Sequence, residues 1–331
     1  MHINNKFVIL LKKLRRLVKI CEVFDNCIFL IINYILINTG LIRRRLITVR
    51  RGNCKVRLSY GMVSRIINLY ARGFLRDFRC INDTLVINNV QIADIDLDTT
   101  GWAKVLGYKE INGVWVKDNI KFVRMRDSII KVFELGEYED IDVKGKVVID
   151  VGAYVGESAI YFILRGGAER VYAIEPHPGA FREMLENIKL NEMQDKIVPI
   201  NVALGKTEAC IGKNGFTENI DETQWTYYSS VITNINNTNN CIKVMPLRDI
   251  IFNYKIKEAV LKMDCEGCEY DVLFSDYDVI KNTVTELIME YHRHHDYSLT
   301  ILMNLLNNDY ECVKIKGGNK DVGIIHCRRK R

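Results

Sequence analysis

Proline is scarce, with 4 among 331 residues, and the 21 glycines follow no repeating period. Collagen-like and long disordered architectures are excluded by that composition. No internal repeat and no long low-complexity segment is visible. No apolar stretch reaches the roughly twenty residues a membrane span needs. No small-residue cleavage site of a secretory signal follows the first apolar segment. Ten cysteines are too few for a disulfide scaffold of this length. Without a signal they point to a reducing compartment and a cytoplasmic location, hot archaea being the known exception. What remains is an ordinary globular composition, 48% hydrophobic and 27% charged, enough for one large or two modest domains.

Charge is unevenly placed. Residues 1–80 carry 17 basic side chains against 3 acidic ones, a net of +14. The rest carries 30 against 38, a net of −8. An acidic body is poorly suited to wrapping phosphates, so no nucleic-acid partner is expected. The basic end could meet an anionic surface. In FVILLKKLRRLVKI, residues 7–20, apolar Leu10, Leu11, Leu14, Leu17 and Val18 recur at helical spacing among Lys and Arg. IFLIINYILI follows, from Ile28 to Ile37, interrupted by Asn33, and Arg43, Arg44 and Arg45 come after it. Three readings stay open: surface helices packed on the chain, peripheral attachment of residues 7–45 to an anionic membrane, or a span. No aromatic platform accompanies the charge, which disfavours a nucleic-acid arm.

The middle of the chain is mixed. VRRGNCKVRLSY reads as a hairpin turning at Gly52-Asn53, residues 62–75 as a helix, and LVINNVQIADIDL as strands around a turn. Residues 114–125 read as a second hairpin and Ser128 to Phe133 as a helix. From Lys144 strand and helix alternate. Strands are expected at 147–150, 170–175, 197–204, 259–264 and 286–292, with helices between, and ECVKIK and GIIHCR closing the sheet as a hairpin. Residues 233–240 read as a polar loop. Repeated βα units give a doubly wound α/β sheet whose ligands sit beyond the carboxyl ends of the strands.

Chemistry gathers at those ends. The first strand runs into Asp150-Val151-Gly152-Ala153-Tyr154-Val155-Gly156. Glycines let the main chain turn tightly and let a ligand approach it. The second strand ends in Glu175, twenty-three residues after Gly152, placed to take both hydroxyls of a ribose. A pyrophosphate-binding loop reads G-x-G-x-x-G; this one reads D-x-G-x-x-x-G. An opening acid disfavours phosphate and suits a cationic nucleoside, which selects S-adenosylmethionine over NAD. The competing reading is a tight turn without ligand. The fourth strand ends in Lys262-Met263-Asp264-Cys265-Glu266-Gly267-Cys268-Glu269, and Asp264 is the acid expected to face the cofactor. Helix-start acids favoured by the dipole explain Glu266 and Glu269 equally well. The fifth strand ends in Glu290-Tyr291-His292. His292 is the candidate base for an alcohol acceptor, with His294 and His295 read as a solvated loop. The acids and histidines could hold a divalent metal beside Asp264, but the spacing matches no standard motif and no metal is assigned. Cys265-x-x-Cys268 has no second pair at zinc spacing and reads as fortuitous or as a local thiol–disulfide couple.

These motifs resemble the FkbM family of S-adenosylmethionine-dependent methyltransferases. The resemblance covers roughly residues 128–292, from VFELGEYEDIDVKGKVVIDVGAYVGESAIYF through GGAERVYAIEPHPGAFREMLENIKLN and NVALG to LKMDCEGCEYDVL and MEYH. It implies a Rossmann-like, mostly parallel seven-stranded sheet, and the residue pattern places a helical and mixed α+β extension before it. Three regions are expected: a helical segment over 1–48, a mixed region over 49–140 and the cofactor-binding domain over 141–331. It implies cofactor contacts at Asp150, Gly152, Gly156 and Glu175, with Asn201 to Ala203 near the adenine; Ala153, Tyr154 and Asp264 are expected to contact the cofactor beside them. Lys262, Asp264, Glu266, Gly267 and Glu269 match the family's K-x-D-x-E-G-x-E segment, although Cys265 and Cys268 stand where small apolar residues are usual. It implies O-methylation of a hydroxyl, often on a sugar or secondary metabolite; a glycan or lipid acceptor is also expected, and His292 or Asp264 is expected to take the proton. The rival expectation is a catalytically silent nucleoside-binding module recruited through its basic end.

Overall fold

The computed structural model describes residues 18–38, 41, 46–92, 97–212, 241–292, 297–316 and 322–330. Of the expected amphipathic helix over 7–20, only residues 18–20 are described, and they are helical. Arg43 to Arg45, the polar segment 233–240, His294 and His295 lie outside the described residues. The chain forms two compact units, Met1–Leu135 and Gly136–Arg331. The helical segment before residue 48 therefore groups with the strands that follow it.

In the first unit, helix α1 (Cys27–Asn38) has 12 residues. Among the described residues, no helix is long and apolar enough to cross a membrane. Leu30 and Asn33 of α1 are buried, whereas Ile28, Phe29 and Ile32 are exposed. The Asn33 side-chain amide donates to the Phe29 carbonyl at 2.8 Å, which lets a polar group sit inside. Strands β1 (Leu46–Arg51) and β2 (Cys54–Ser59) form the expected hairpin about Gly52-Asn53, with Arg51 opposite Cys54. Helix α2 (Tyr60–Ala71) starts two residues before the sequence reading because the Ser59 hydroxyl caps it, accepting from Met62 N–H at 3.0 Å. Two three-stranded antiparallel meanders follow. The first is β3 (Phe78–Ile81), β4 (Thr84–Ile87) and β5 (Val90–Ile92). After helix α3 (Thr99–Val105) the second is β6 (Lys109–Ile111), β7 (Val114–Lys117) and β8 (Ile120–Phe122), leading to α4 (Asp127–Phe133). Their turns use Asn82-Asp83, Asn88-Asn89 and Asn112-Gly113, all at positive φ, the residues that fit the tightest hairpin turns. Strands β3 and β6 and helix α3 escape a sequence reading because each is only three to seven residues long. The helix-then-meander order occurs twice, although no repeat is visible in the sequence itself.

The second unit is built on β9 (Val147–Val151), α5 (Glu157–Leu164), β10 (Arg170–Ile174), α6 (Pro178–Leu190) and β11 (Ile197–Ile200). A small sheet follows: β12 (Ala203–Leu204), β13 (Ala209–Gly212) and β14 (Cys241–Met245). The chain then returns through α7 (Leu247–Asn253), β15 (Ala259–Met263), α8 (Cys268–Thr283), β16 (Val284–Tyr291) and α9 (Leu299–Leu306) to β17 (Tyr310–Lys316) and β18 (Gly323–Arg329). Seven strands pair in the order β11-β10-β9-β15-β16-β18-β17. Strands β9, β10, β11, β15 and β16 are mutually parallel, and β18 runs against both its neighbours. This is the expected doubly wound, mostly parallel α/β sheet. The closing hairpin is present, but its second strand is the one that meets β16. Ile149, Val151, Leu261, Met263, Leu287 and Met289 lie in one buried cluster. A fully buried side chain of this kind contributes about 1.5–3 kcal/mol. The expected strand 197–204 is two: β11 ends at Ile200, and β12 leaves for the small sheet beside β14. The strand order changes direction between β9 and β15, the point beyond whose carboxyl ends doubly wound sheets carry their ligands.

The cysteines depart from expectation. All ten pair, as Cys21–Cys27, Cys54–Cys80, Cys210–Cys241, Cys265–Cys268 and Cys312–Cys327. A chain held fully reduced does not fit that pattern. Cys265–Cys268 is the local couple that its spacing allowed, and Cys21–Cys27 is also close in sequence; the partners of the other three lie 15 to 31 residues apart, as where Cys312 faces Cys327 between β17 and β18. Alkylation of the native protein under non-reducing conditions should modify no cysteine. Replacing Cys54 and Cys80 together by Ser should lower unfolding free energy by about 2–4 kcal/mol in a urea titration. Ten reactive thiols in the native protein would overturn the pairing.

Candidate functional site

Asp150 is the fourth residue of β9 and sits opposite Lys262 on β15. Adjacent strands place these two side chains on one face of the sheet. Both are buried, and Lys262 Nζ lies 3.0 Å from Asp150 Oδ1. The Ser158 hydroxyl donates to Asp150 Oδ2 at 2.6 Å. Asp150 is thus held by a cation and a hydroxyl of its own chain, which weakens its expected role as a charge offered to a ligand. Lys262 also donates to the Gly152 carbonyl at 2.7 Å and the Val151 carbonyl at 3.3 Å. Burial alone would lower its pKa, but Asp150 and Asp264 outweigh it and hold the ammonium charged.

The loop after β9 is stitched on both sides. Gly152 and Ala153 N–H both donate to the Ile174 carbonyl at 3.0 Å, and Asp264 N–H donates to Val151 at 3.0 Å. Gly152 has φ +75°, and a Cβ there would lie 1.8 Å from the Asp264 carbonyl oxygen. Only glycine fits. Tyr154, at φ +49°, adopts the left-handed region without being glycine. Its N–H donates to Glu175 Oε2 at 2.9 Å, so the strain serves to aim the loop at that carboxylate. Gly156 opens α5, where a Cβ would press on Met184 Cγ at 2.9 Å.

Glu175 follows β10 and is 2% exposed. Its other oxygen accepts from His177 N–H at 2.7 Å. Burial pushes its carboxyl up to about 8 despite those two N–H donors. His177 in turn caps α6, its Nδ1 accepting from Gly179 and Ala180 N–H at 3.1 and 3.2 Å. The Asn201 side chain donates to the Glu175 carbonyl at 2.8 Å and the Pro176 carbonyl at 3.2 Å, bracing the acid from behind. Ala203 goes elsewhere: its side chain packs with Ile242 and Val244 in the small sheet.

A second cluster sits at the ends of β15 and β16. Asp264 directly follows β15. Burial raises its carboxyl above the usual range, opposed by the nearby charges of Lys262 and His292. His292 directly follows β16, with Nδ1 3.0 Å from Glu269 Oε1 and Nε2 3.4 Å from Glu266 Oε2. Burial would depress its pKa, but Glu269, Glu266 and Asp264 outweigh that and push it up to about 9. At neutral pH the ring therefore holds its proton, the opposite of what a general base requires. Glu269 is fully buried and also accepts from Cys265 N–H at 3.1 Å and Gly267 N–H at 2.9 Å. Asp264, Glu290 and His292 each place a ligating atom within 4.8 Å of the others.

Sequence reasoning missed several residues here. Tyr138 is buried with its ring 5.7 Å from Lys262 Nζ, and burial with the charges of Asp264 and Glu137 keeps its phenol neutral. Glu157 is buried in the first turn of α5. Ser158 and His177 hold the acids in place. None had a local signal; only the fold brings them to this edge.

Residues 150–312 match the Methyltransferase FkbM domain. This region of the chain belongs to the FkbM methyltransferase family. A 77-residue stretch is 39% identical to the ribosomal protein L11 methyltransferase of Carboxydothermus hydrogenoformans, covering 23% of this chain and 22% of that protein. The chain thus spans about a fifth of the length of that curated relative. Among solved structures, the methyltransferase FkbM of Methylobacillus flagellatus KT is similar at 19% identity and TM-score 0.42, over 60% of this chain and 47% of that one. TYW2 of M. jannaschii, solved in complex with AdoMet, is similar at 17% identity and TM-score 0.33, over 66% and 86%. The M1A22 tRNA methyltransferase TrmK of B. subtilis is similar at 11% identity and TM-score 0.32, over 58% and 63%.

In the FkbM domain, Gly152→Ala should lose about 3 kcal/mol or more, because backbone must move at both β9 and β15. A urea titration measures this, and an unchanged midpoint would contradict the close approach.

Proposed function

We propose that the FkbM domain binds S-adenosylmethionine at the carboxyl edge of β9 and β10 and transfers its methyl group to a hydroxyl oxygen. The observation that carries this reading is Glu175, a buried carboxylate aimed by two backbone N–H groups beside a left-handed glycine loop. Its remaining lone pairs suit the two hydroxyls of a ribose. Lys262 and His292, the cations of this edge among the described residues, are held by carboxylates of the chain. A phosphate-bearing dinucleotide would find acids here, whereas a sulfonium nucleoside finds complementary charge.

In the proposed step the acceptor oxygen attacks the methyl carbon in line with the sulfur. The O–CH₃ bond forms as the S–CH₃ bond breaks. The hydroxyl proton passes to a carboxylate and S-adenosylhomocysteine leaves. Most of the acceleration comes from positioning the two reactants. We assign proton acceptance to Asp264, whose raised pKa suits that role, and assign His292 to positioning because its proton is held between two glutamates. Gly152, Ala153, Tyr154 and Gly156 form the loop beneath the nucleoside, and Asn201 and the main chain near Ala203 lie toward the adenine. The acceptor we propose is a sugar, glycan, lipid or secondary-metabolite hydroxyl. We also propose peripheral contact of residues 7–45 with an anionic membrane, for which the exposed Ile28, Phe29 and Ile32 of α1 provide apolar area.

Isothermal titration with S-adenosylmethionine and with NAD tests the cofactor. Transfer of labelled methyl into glycan, lipid and RNA fractions tests the reaction. Cofactor binding without turnover in any fraction would favour the silent binding module. Glu175→Gln should weaken S-adenosylmethionine binding about tenfold or more, the loss of a charge-assisted hydrogen bond.

Glu175 also sets a pH dependence. Its carboxyl is raised to about 8 in the folded protein from an ordinary 4.5, so the fold favours the protonated form. Stability of the free protein should therefore decline as pH rises from 4.5 towards about 8. Ribose hydroxyls donate to the ionised form and pull the pKa down again. Binding at pH 7 should release a fraction of a proton, read as a heat that differs between phosphate and Tris buffers. That difference should vanish at pH 9 and in Glu175→Gln; a buffer-independent heat at pH 7 would refute it.

A further inference from the structure

We propose that Asp264, Glu290 and His292 bind one divalent cation. Their ligating atoms lie within 4.8 Å of one another at the carboxyl ends of neighbouring strands. The sheet dictates the meeting. Met263, the last residue of β15, pairs with Met289 of β16, so Asp264 and Glu290 follow side by side. Glu290 and His292 are two residues apart and share a face. Two carboxylates and an imidazole are the donor set of a catalytic-type divalent site, and three protein ligands leave positions open for substrate oxygen.

The surroundings support the same reading independently. Glu269, fully buried, occupies the His292 Nδ1 position at 3.0 Å. It is itself pinned by the backbone N–H groups of Cys265 and Gly267. A carboxylate on the far nitrogen fixes ring orientation and tautomer, as it does for histidines that bind metal. Nε2 is then the ligand atom, and a proton and a metal ion compete for its lone pair. Among the described residues, four carboxylates, of Asp264, Glu266, Glu269 and Glu290, gather around the His292 imidazole. Lys262, the adjacent cation, already pairs with Asp150. The mixed oxygen–nitrogen set fits Mn²⁺, Fe²⁺ or Zn²⁺ better than Ca²⁺. The role we give the ion, holding the acceptor hydroxyl oxygen and lowering its pKa, rests on the methyltransferase reading; the binding of the ion does not.

Electron paramagnetic resonance of Mn²⁺ titrated into the full chain tests the site. One Mn²⁺ should bind per chain. Glu290→Gln and His292→Gln should each weaken binding at least about tenfold, and Glu269→Gln by about 10–100-fold although it touches no metal. Glu208→Gln, at an exposed carboxylate paired with Lys243, should leave it unchanged. Circular dichroism melting confirms that each variant folds, and the isosteric Asp264→Asn serves if the others do not. No stoichiometric Mn²⁺ at millimolar concentration, or equal binding by all folded variants, would overturn the proposal. S-adenosylmethionine titration in EDTA separates it from the cofactor reading. Nucleoside binding without Mn²⁺ binding sinks the metal site alone; Mn²⁺ binding without nucleoside binding sinks the methyltransferase reading alone.

Discussion

The buried ion pair between Lys262 and Asp150 ties the two central strands together where the chain changes direction. Lys262 reaches from β15 to the carboxylate of β9 and to two carbonyls of the glycine loop. One ammonium thereby satisfies an acid that would otherwise be charged and unpaired in the interior. Removing one partner of such a pair costs about 3–5 kcal/mol, because the survivor stays buried. Lys262 is 2% exposed and Asp150 is fully buried, so water cannot take over. The backbone contact at Gly152 depends on the same closeness of the strands. With β9 and β15 pinned, the loop has one course, and Tyr154 points its N–H at Glu175.

Glu269 has the equivalent role at the neighbouring pair of strands. Its carboxylate gathers two backbone N–H groups of the turn between β15 and α8, and the ring of His292. The Cys265–Cys268 disulfide closes the same turn. Glu266 and Gly267 there have positive φ, so this turn is held in a conformation that a free chain rarely visits. Glu269 at the start of α8 also lies where the helix dipole favours negative charge. The helix-start acid of the sequence reading thus also gathers the turn and the ring of His292.

Much of the sheet was legible because its strands are buried on both faces and read as short apolar runs ahead of glycine or acidic turns. Strands β9, β10, β15 and β16 follow from that pattern, and their ends carry Asp150, Glu175, Asp264 and His292. What the sequence hid is pairing across distance. Asp150 looked like charge offered to a ligand, and its neutralising lysine lies far along the chain on the neighbouring strand. His292 looked like a base until two glutamates closed on its ring. Ala203 continues an apolar run and so read as an extension of β11, but the strand breaks where Asn201 turns back to brace Glu175. The meanders of the first unit are short enough that Asn-rich turns dominate their composition. Three of the disulfides, Cys54–Cys80, Cys210–Cys241 and Cys312–Cys327, were illegible for the same reason as the ion pair, since each joins positions that only the fold brings together, whereas Cys265–Cys268 is the local couple its spacing allowed.

The crevice edge divides by chemistry. On the β9–β10 side, glycine, aimed N–H groups and one protonatable acid suit a neutral sugar ring with hydroxyl donors. Among the described residues of the β15–β16 side, carboxylates outnumber cations and crowd around the His292 imidazole, which suits a positive charge. Lys262 stands between the two. Its charge is paired with Asp150, and it opposes the rise that burial imposes on the carboxyls of Glu175 and Asp264. A sulfonium placed at the boundary would be attracted from the β15–β16 side while its ribose is gripped from the β9–β10 side. The methyl group would then face the acids, where an acceptor hydroxyl must give up its proton. The same ion pair that stabilises the sheet therefore sets the polarity along which the methyl group would move.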